Sequence, residues 1–190
     1  MMGRLLESAV VATFALFGAQ MMRTYIGKRK IRSDFDYAMQ VVAKEAVRRA
    51  KTEHRVDLNF APDSVERLET MLGNIHEAHL KNPLSEKELS LQSIRWGAYI
   101  GEVLKRVRPG KWHRDSPKAG RGTMPLVFDS EHQGFPCSWV YKRIADGPDD
   151  NVILKFQVLC DLELRKDAGW AQAAITKNGL NRKNKASPIR

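Results

Sequence analysis

Glu102 has the strongest chemical claim of any side chain in this sequence, because it stands beside Gly101 on the helix expected to be the most buried. A carboxylate buried there needs a cationic partner or a raised pKa. Arg143 and Lys142 are the candidate partners, and a buried Glu102–Arg143 ion pair is the expectation. Ion-pair networks perturb such groups without any reaction, so a lone carboxylate reads as structural before it reads as catalytic. His76 and His79, with Glu77 between them, are three apart on one helix, which is not the HExxH spacing of a zinc site. A core or rim histidine is the better reading of each. Asp146, Asp149 and Asp150 lack the alternating acids and closing Glu of a calcium loop, and they read as turn and cap residues. Cys137 and Cys160 have no CxxC spacing and read as small buried hydrophobes of a reducing compartment. No catalytic residue, metal or cofactor is therefore assigned.

The other candidate chemistry is binding. The loop 108–122 carries Arg108, Lys111, Arg114, Lys118 and Arg121 against a single Asp115, with glycines at 110, 120 and 122. Lys111, Arg114, Lys118 and Arg121 are candidate contacts for phosphate or an acidic partner, although a solvated hairpin loop is the better reading of this stretch. The P-loop order G-x-x-x-x-G-K-[ST] is absent, which argues against nucleotide hydrolysis. The net charge of +10 says little about this body. Residues 23–32 and 177–190 carry five cations each and no acid, while residues 33–176 hold 21 basic and 21 acidic side chains. A nucleic-acid-binding domain usually places its charge on the folded face, so nucleic acid is the second choice of partner.

The first basic flank follows an apolar stretch. From Leu5 to Met22 only Glu7 and Gln20 are strongly polar. As a helix these residues would span about 27 Å, close to the ~30 Å hydrocarbon thickness of a bilayer. One Arg before the segment and a cluster containing Lys28, Arg29, Lys30 and Arg32 after it place the body on the cytoplasmic side of a single-pass protein. The same cluster would contact anionic lipid. Two other readings stay open: a helix packed on the body of a cytoplasmic protein, and a cleaved signal peptide, which lacks its small-residue cleavage motif.

Several elements must position the candidate residues. Asp34 to Thr52 carries a helical stripe at Phe35, Met39, Val42, Ala46 and Ala50. Asp63 and Glu66 form a capping-box pattern ahead of a helix with apolar positions at Val65, Leu68, Leu72, Ile75 and His79. Ser85 and Glu88 form a second box, opening a helix over 86–107 that is apolar on more than one side and so should be central. Gly97 and Gly101 on that helix cost about 1 kcal/mol each relative to Ala, so a neighbour should approach closely there. Trp112–His113 and Met124–Phe128 read as short strands, Ser130–Gly134 as a turn, and Phe135–Ala145 as a short helix. In 151–164 every even position is apolar, as in a strand, yet Val152, Ile153, Phe156, Leu159 and Cys160 also make a helical stripe. Helix is preferred, because the strand would be unusually long.

The run Trp96-Gly97-Ala98-Tyr99-Ile100-Gly101-Glu102-Val103, then Trp112, Phe135-Pro136, Lys142-Arg143 and Gly147-Pro148-Asp149-Asp150, resembles a group of small uncharacterised bacterial domains. Phe60, Pro62, Ser64 and Leu68 extend the similarity upstream. The resemblance covers about residues 55–160 and implies a compact α+β module without implying a reaction. The expectation is thus a helix-rich α+β domain with a short antiparallel hairpin over 33–170. An apolar helix and basic flank precede it at 1–32, and a basic tail follows at 171–190. Its expected role is a non-enzymatic interaction or accessory module at the cytoplasmic face of a bacterial membrane, with anionic lipid and an unidentified protein as partners. The alternative is a soluble nucleic-acid-associated protein using the tail and the 108–122 loop.

Overall fold

The computed structural model describes residues 34–163. They form a helix-rich α+β domain with a small antiparallel sheet. The apolar segment 5–22, its flank Lys28, Arg29, Lys30 and Arg32, and the tail 171–190 lie outside the described residues. Among the described residues, no helix is long and apolar enough to cross a membrane.

Helix α1, Phe35–His54, begins where the Asp34 carboxylate accepts the Tyr37 N–H, satisfying one of the donors that a helix start leaves open. It ends at Arg55 in the left-handed conformation, whose N–H returns to the Ala50 carbonyl. Its buried face is Met39, Ala43, Ala46 and Ala50, and the three alanines let α1 lie close against α3, Glu86–Val107. Helix α2, Ser64–Lys81, lacks the anticipated box. Asp63 is already helical and makes no capping bond, and its carboxylate pairs instead with Arg67. A tight turn over Ala61–Pro62–Asp63 supplies the acceptors for the first N–H groups of α2. The Ser85–Glu88 box at the head of α3 is complete in both directions.

Helix α3 is central, with every residue from Trp96 to Gly101 buried. Strand β1, Gly110–Trp112, pairs antiparallel with β2, Leu126–Phe128, and Trp112 faces Leu126 across the ladder. A third strand, β3, Gln133–Gly134, pairs with β2 where the sequence suggests only a turn. Two residues are too few to show an alternation, and Glu131 turns the chain with a positive φ. Helix α4, Pro136–Ala145, starts with Pro at a position whose missing N–H costs nothing. A 3-10 turn at Pro148–Asp150 leads to α5, helical over residues 152–163.

The two glycines of α3 set the packing distance of its neighbours. A methyl group at Gly97 would sit 2.5 Å from the Cys137 Cα at the start of α4, and one at Gly101 would sit 1.9 Å from the buried Trp112 ring. Trp112 is 1% exposed and has no free space to retreat into. Gly97→Ala and Gly101→Ala should therefore each destabilise the domain by about 1–3 kcal/mol through overpacking, although alanine is the better helix former. Urea unfolding checks this, and a variant as stable as the parent would show that the contact is looser than the geometry says.

Candidate functional site

Three clusters gather the titratable side chains that the sequence singles out, and each ties two or more elements together. In the first, Lys105 Nζ on α3 lies 2.8 Å from Asp36 Oδ1 on α1 and 3.1 Å from Glu102 Oε1. Trp112 joins both acids: its indole N–H donates to Glu102 Oε1 at 3.1 Å, and its backbone N–H donates to Asp36 Oδ1 at 3.0 Å. Glu102 is thus a structural carboxylate paired with Lys105 one turn away on its own helix. The expected Glu102–Arg143 pair does not form. Burial pushes the Asp36 carboxyl up, but hydrogen bonds from Lys105 and the Trp112 N–H, with the Lys105 charge, outweigh it and hold its pKa below 3.8.

Arg143 takes a different acid. Its Nε donates to Glu69 Oε1 on α2 at 2.5 Å, while Glu69 Oε2 accepts the Val152 N–H at 3.0 Å and so caps α5. Both side chains are about nine-tenths buried. Glu69 was open to detection: it stands four residues after Val65 and three before Leu72, on the apolar face of α2. An acid at such a position requires a buried partner. His76 continues that face, buried, with Nδ1 against the Ile144 carbonyl at 2.7 Å, whereas His79 is only half-buried and its Nδ1 accepts the Leu84 N–H. The two histidines have separate partners, and no group of potential metal ligands forms among the described residues.

The third cluster centres on Glu163, which is 2% exposed. It accepts from Ser130 Oγ at 2.6 Å, contacts His132 Nδ1 at 2.7 Å and lies 4.0 Å from Arg108 Nε, fastening the end of α5 to the sheet and to the end of α3. The cysteines are free thiols. Burial pushes the Cys137 thiol up to about 12 and the half-buried Cys160 thiol up to about 11, so both stay protonated at neutral pH.

An open cleft of about 410 Å³ lies between the basic loop and the first turn of α4. Ala119, Gly122, Thr123 and Met124 of the loop face Phe135, Cys137, Ser138 and Tyr141 across it. The loop is held in shape from within. Ser116 Oγ accepts the Lys118 and Ala119 N–H groups and donates to Gln133, and Asp115 accepts the Gly122 N–H at 2.7 Å. Gly120 and Gly122 occupy positive φ, which the tight return requires. The four cations expected to bind are divided by this geometry. Lys118 and Arg121 belong to the stretch that walls the cleft, Lys111 stands exposed on β1 opposite Val127, and the Arg114 guanidinium covers the Phe35 ring at 4.8 Å. Lys111, Lys118 and Arg121 form no ion pair among the described residues. Thr123 and Ser138 place hydroxyls at its wall, the Thr123 hydroxyl donating to the Gly120 carbonyl, and no side chain caps α4. Compared with family models, curated proteins and solved structures, the chain matches none.

The Asp36 cluster predicts a pH dependence. A carboxyl with a lowered folded pKa contributes stability that is complete above its unfolded value near 3.8 and is lost as the pH falls through the folded pKa. The parent should therefore lose more stability than Asp36→Asn between pH 5 and pH 2.5. Urea unfolding at the two pH values measures this, and equal losses would show that Asp36 has no stabilising partner.

Proposed function

We propose that this chain is a non-enzymatic interaction module, tethered by residues 5–22 to the cytoplasmic face of a bacterial membrane, that meets anionic partners through its 108–122 loop. The observation that carries this reading is a division of labour among charged side chains. Glu102, Asp36, Glu69 and Glu163 are each bonded to groups on other elements and hold the fold, while Lys111 on β1 and Lys118 and Arg121 on the loop after it stand exposed, with no ion pair among the described residues. Exposed cations on a pinned backbone meet phosphate or carboxylate at little ordering cost. The apolar segment and the basic flank Lys28, Arg29, Lys30 and Arg32 support the tether by length and charge bias.

Fractionation of the full-length protein beside a form lacking residues 1–32, with an alkaline carbonate wash of the membranes, tests the tether. Full-length protein should remain in the washed pellet and the shortened form should be soluble. Two soluble forms would contradict the tether and turn the same exposed cations toward nucleic acid, for which affinity should fall steeply with salt.

A further inference from the structure

The alternating pattern of 151–164 has a physical explanation in α5. As a helix, residues 152–163 bury Val152, Phe156, Leu159 and Glu163 in the domain. The even positions Leu154, Val158 and Leu162 repeat every four residues and form a second stripe on the open side, 62%, 59% and 45% exposed, while Cys160 is half-buried. The strand-like alternation therefore arises from a helix with two apolar sides, one of which the described residues leave uncovered.

We propose that this second stripe rests on the lipid bilayer, as an interfacial contact additional to the tether; the inference rests on the membrane reading above. Two observations select lipid over other occupants. First, the stripe is three side chains wide, far below the ~800 Å² per partner that a stable protein dimer buries. A small apolar contact becomes effective when a tether already holds it at the surface, because binding is then intramolecular. Second, Asp36, near the start of the described chain, is bonded to Lys105 and Trp112, and Glu163, at the far end of α5, lies against Arg108. Lys105 and Arg108 are one turn apart on α3 and its cap, so the stripe ends close to where the chain arrives from residues 5–22. The eleven residues 23–33 span at most about 40 Å, which leaves α5 within reach of the bilayer surface. The charged residues beside the stripe add no attraction to an anionic surface: Asp161 is exposed between Val158 and Leu162, and Lys155 is paired with Asp150. The contact is apolar, so it should persist in high salt, unlike contacts made by the basic loop and flanks.

A probe at the stripe tests this on the full-length chain. Val158→Cys in a Cys160→Ser background, with Cys137 buried and unreactive, is labelled with an environment-sensitive fluorophore. The protein is then reconstituted into phosphatidylcholine–phosphatidylglycerol vesicles, with or without a nitroxide quencher at the shallow acyl-chain level. The expected result is a blue-shifted emission quenched at least twofold by the nitroxide, unchanged between 0.1 and 1 M salt, and absent when the label sits at exposed Glu66→Cys instead. Protein retained on carbonate-washed vesicles but unquenched at position 158 would overturn the proposal and leave the tether standing. A blue shift without quenching would assign the stripe to a second copy or another segment of this chain. Loss of the full-length protein from washed vesicles would overturn both readings.

Discussion

The close approach of α4 and Trp112 to the glycine positions of α3 is the constraint on which the rest of the domain depends. Gly97 admits the backbone of α4, and Gly101 admits the Trp112 ring, so a helix and a sheet pack against one element at distances that a single methyl group would forbid. The two glycines cost roughly 2 kcal/mol of helix propensity. Burying an aromatic side chain of ~200 Å² at about 25 cal/mol per Å² yields on the order of 5 kcal/mol, so Trp112 alone offsets that cost. Once Trp112 is seated, its indole N–H reaches Glu102 and its backbone N–H reaches Asp36. The placement of α1 and the neutralisation of the acids on either side of Lys105 therefore follow from a packing event.

Around that centre, each outer element is fastened by a carboxylate bonded to two groups. Glu69 holds α4 through Arg143 and starts α5 through the Val152 N–H. Glu163 holds the end of α5 to the turn before β3. Tyr99 plays the neutral counterpart, its hydroxyl accepting the Phe60 N–H and bonding Ser64 at the start of α2 while its ring stacks on Phe60. Residues that invite a catalytic reading are thus the ones that join sequence-distant elements. Buried polar groups of this kind are costly to leave unpaired, which explains why each carboxylate has more than one partner, although Arg143 Nη1 is buried without a hydrogen bond.

Much of this was legible in the residues. The capping box at Ser85, the two-sided apolar character of 86–107 and the glycines at 97 and 101 placed a central helix with close neighbours. The Pro136 helix and the pairing of β1 with β2 also followed from local signals. Pairings between distant segments did not, because a salt bridge carries no periodicity: Arg143 had several acids to choose from, and only the fold brings Glu69 to it. Asp63 matched a capping pattern that a preceding tight turn made unnecessary, and β3 was too short to show an alternation. The cleft beside the basic loop was equally invisible. It exists because Ser116 and Asp115 fold the loop back toward α4, an arrangement set by single side-chain bonds.

Glu102 belongs to the architecture, and equilibrium unfolding of Glu102→Gln is the test of that role. Groups retained for a reaction are commonly held at a cost, so removing their charge leaves stability unchanged or raises it. If Glu102 serves to neutralise Lys105 and anchor Trp112, the amide should lower stability by about 1–3 kcal/mol. An unchanged or increased stability would contradict the account and return Glu102 to the search for chemistry.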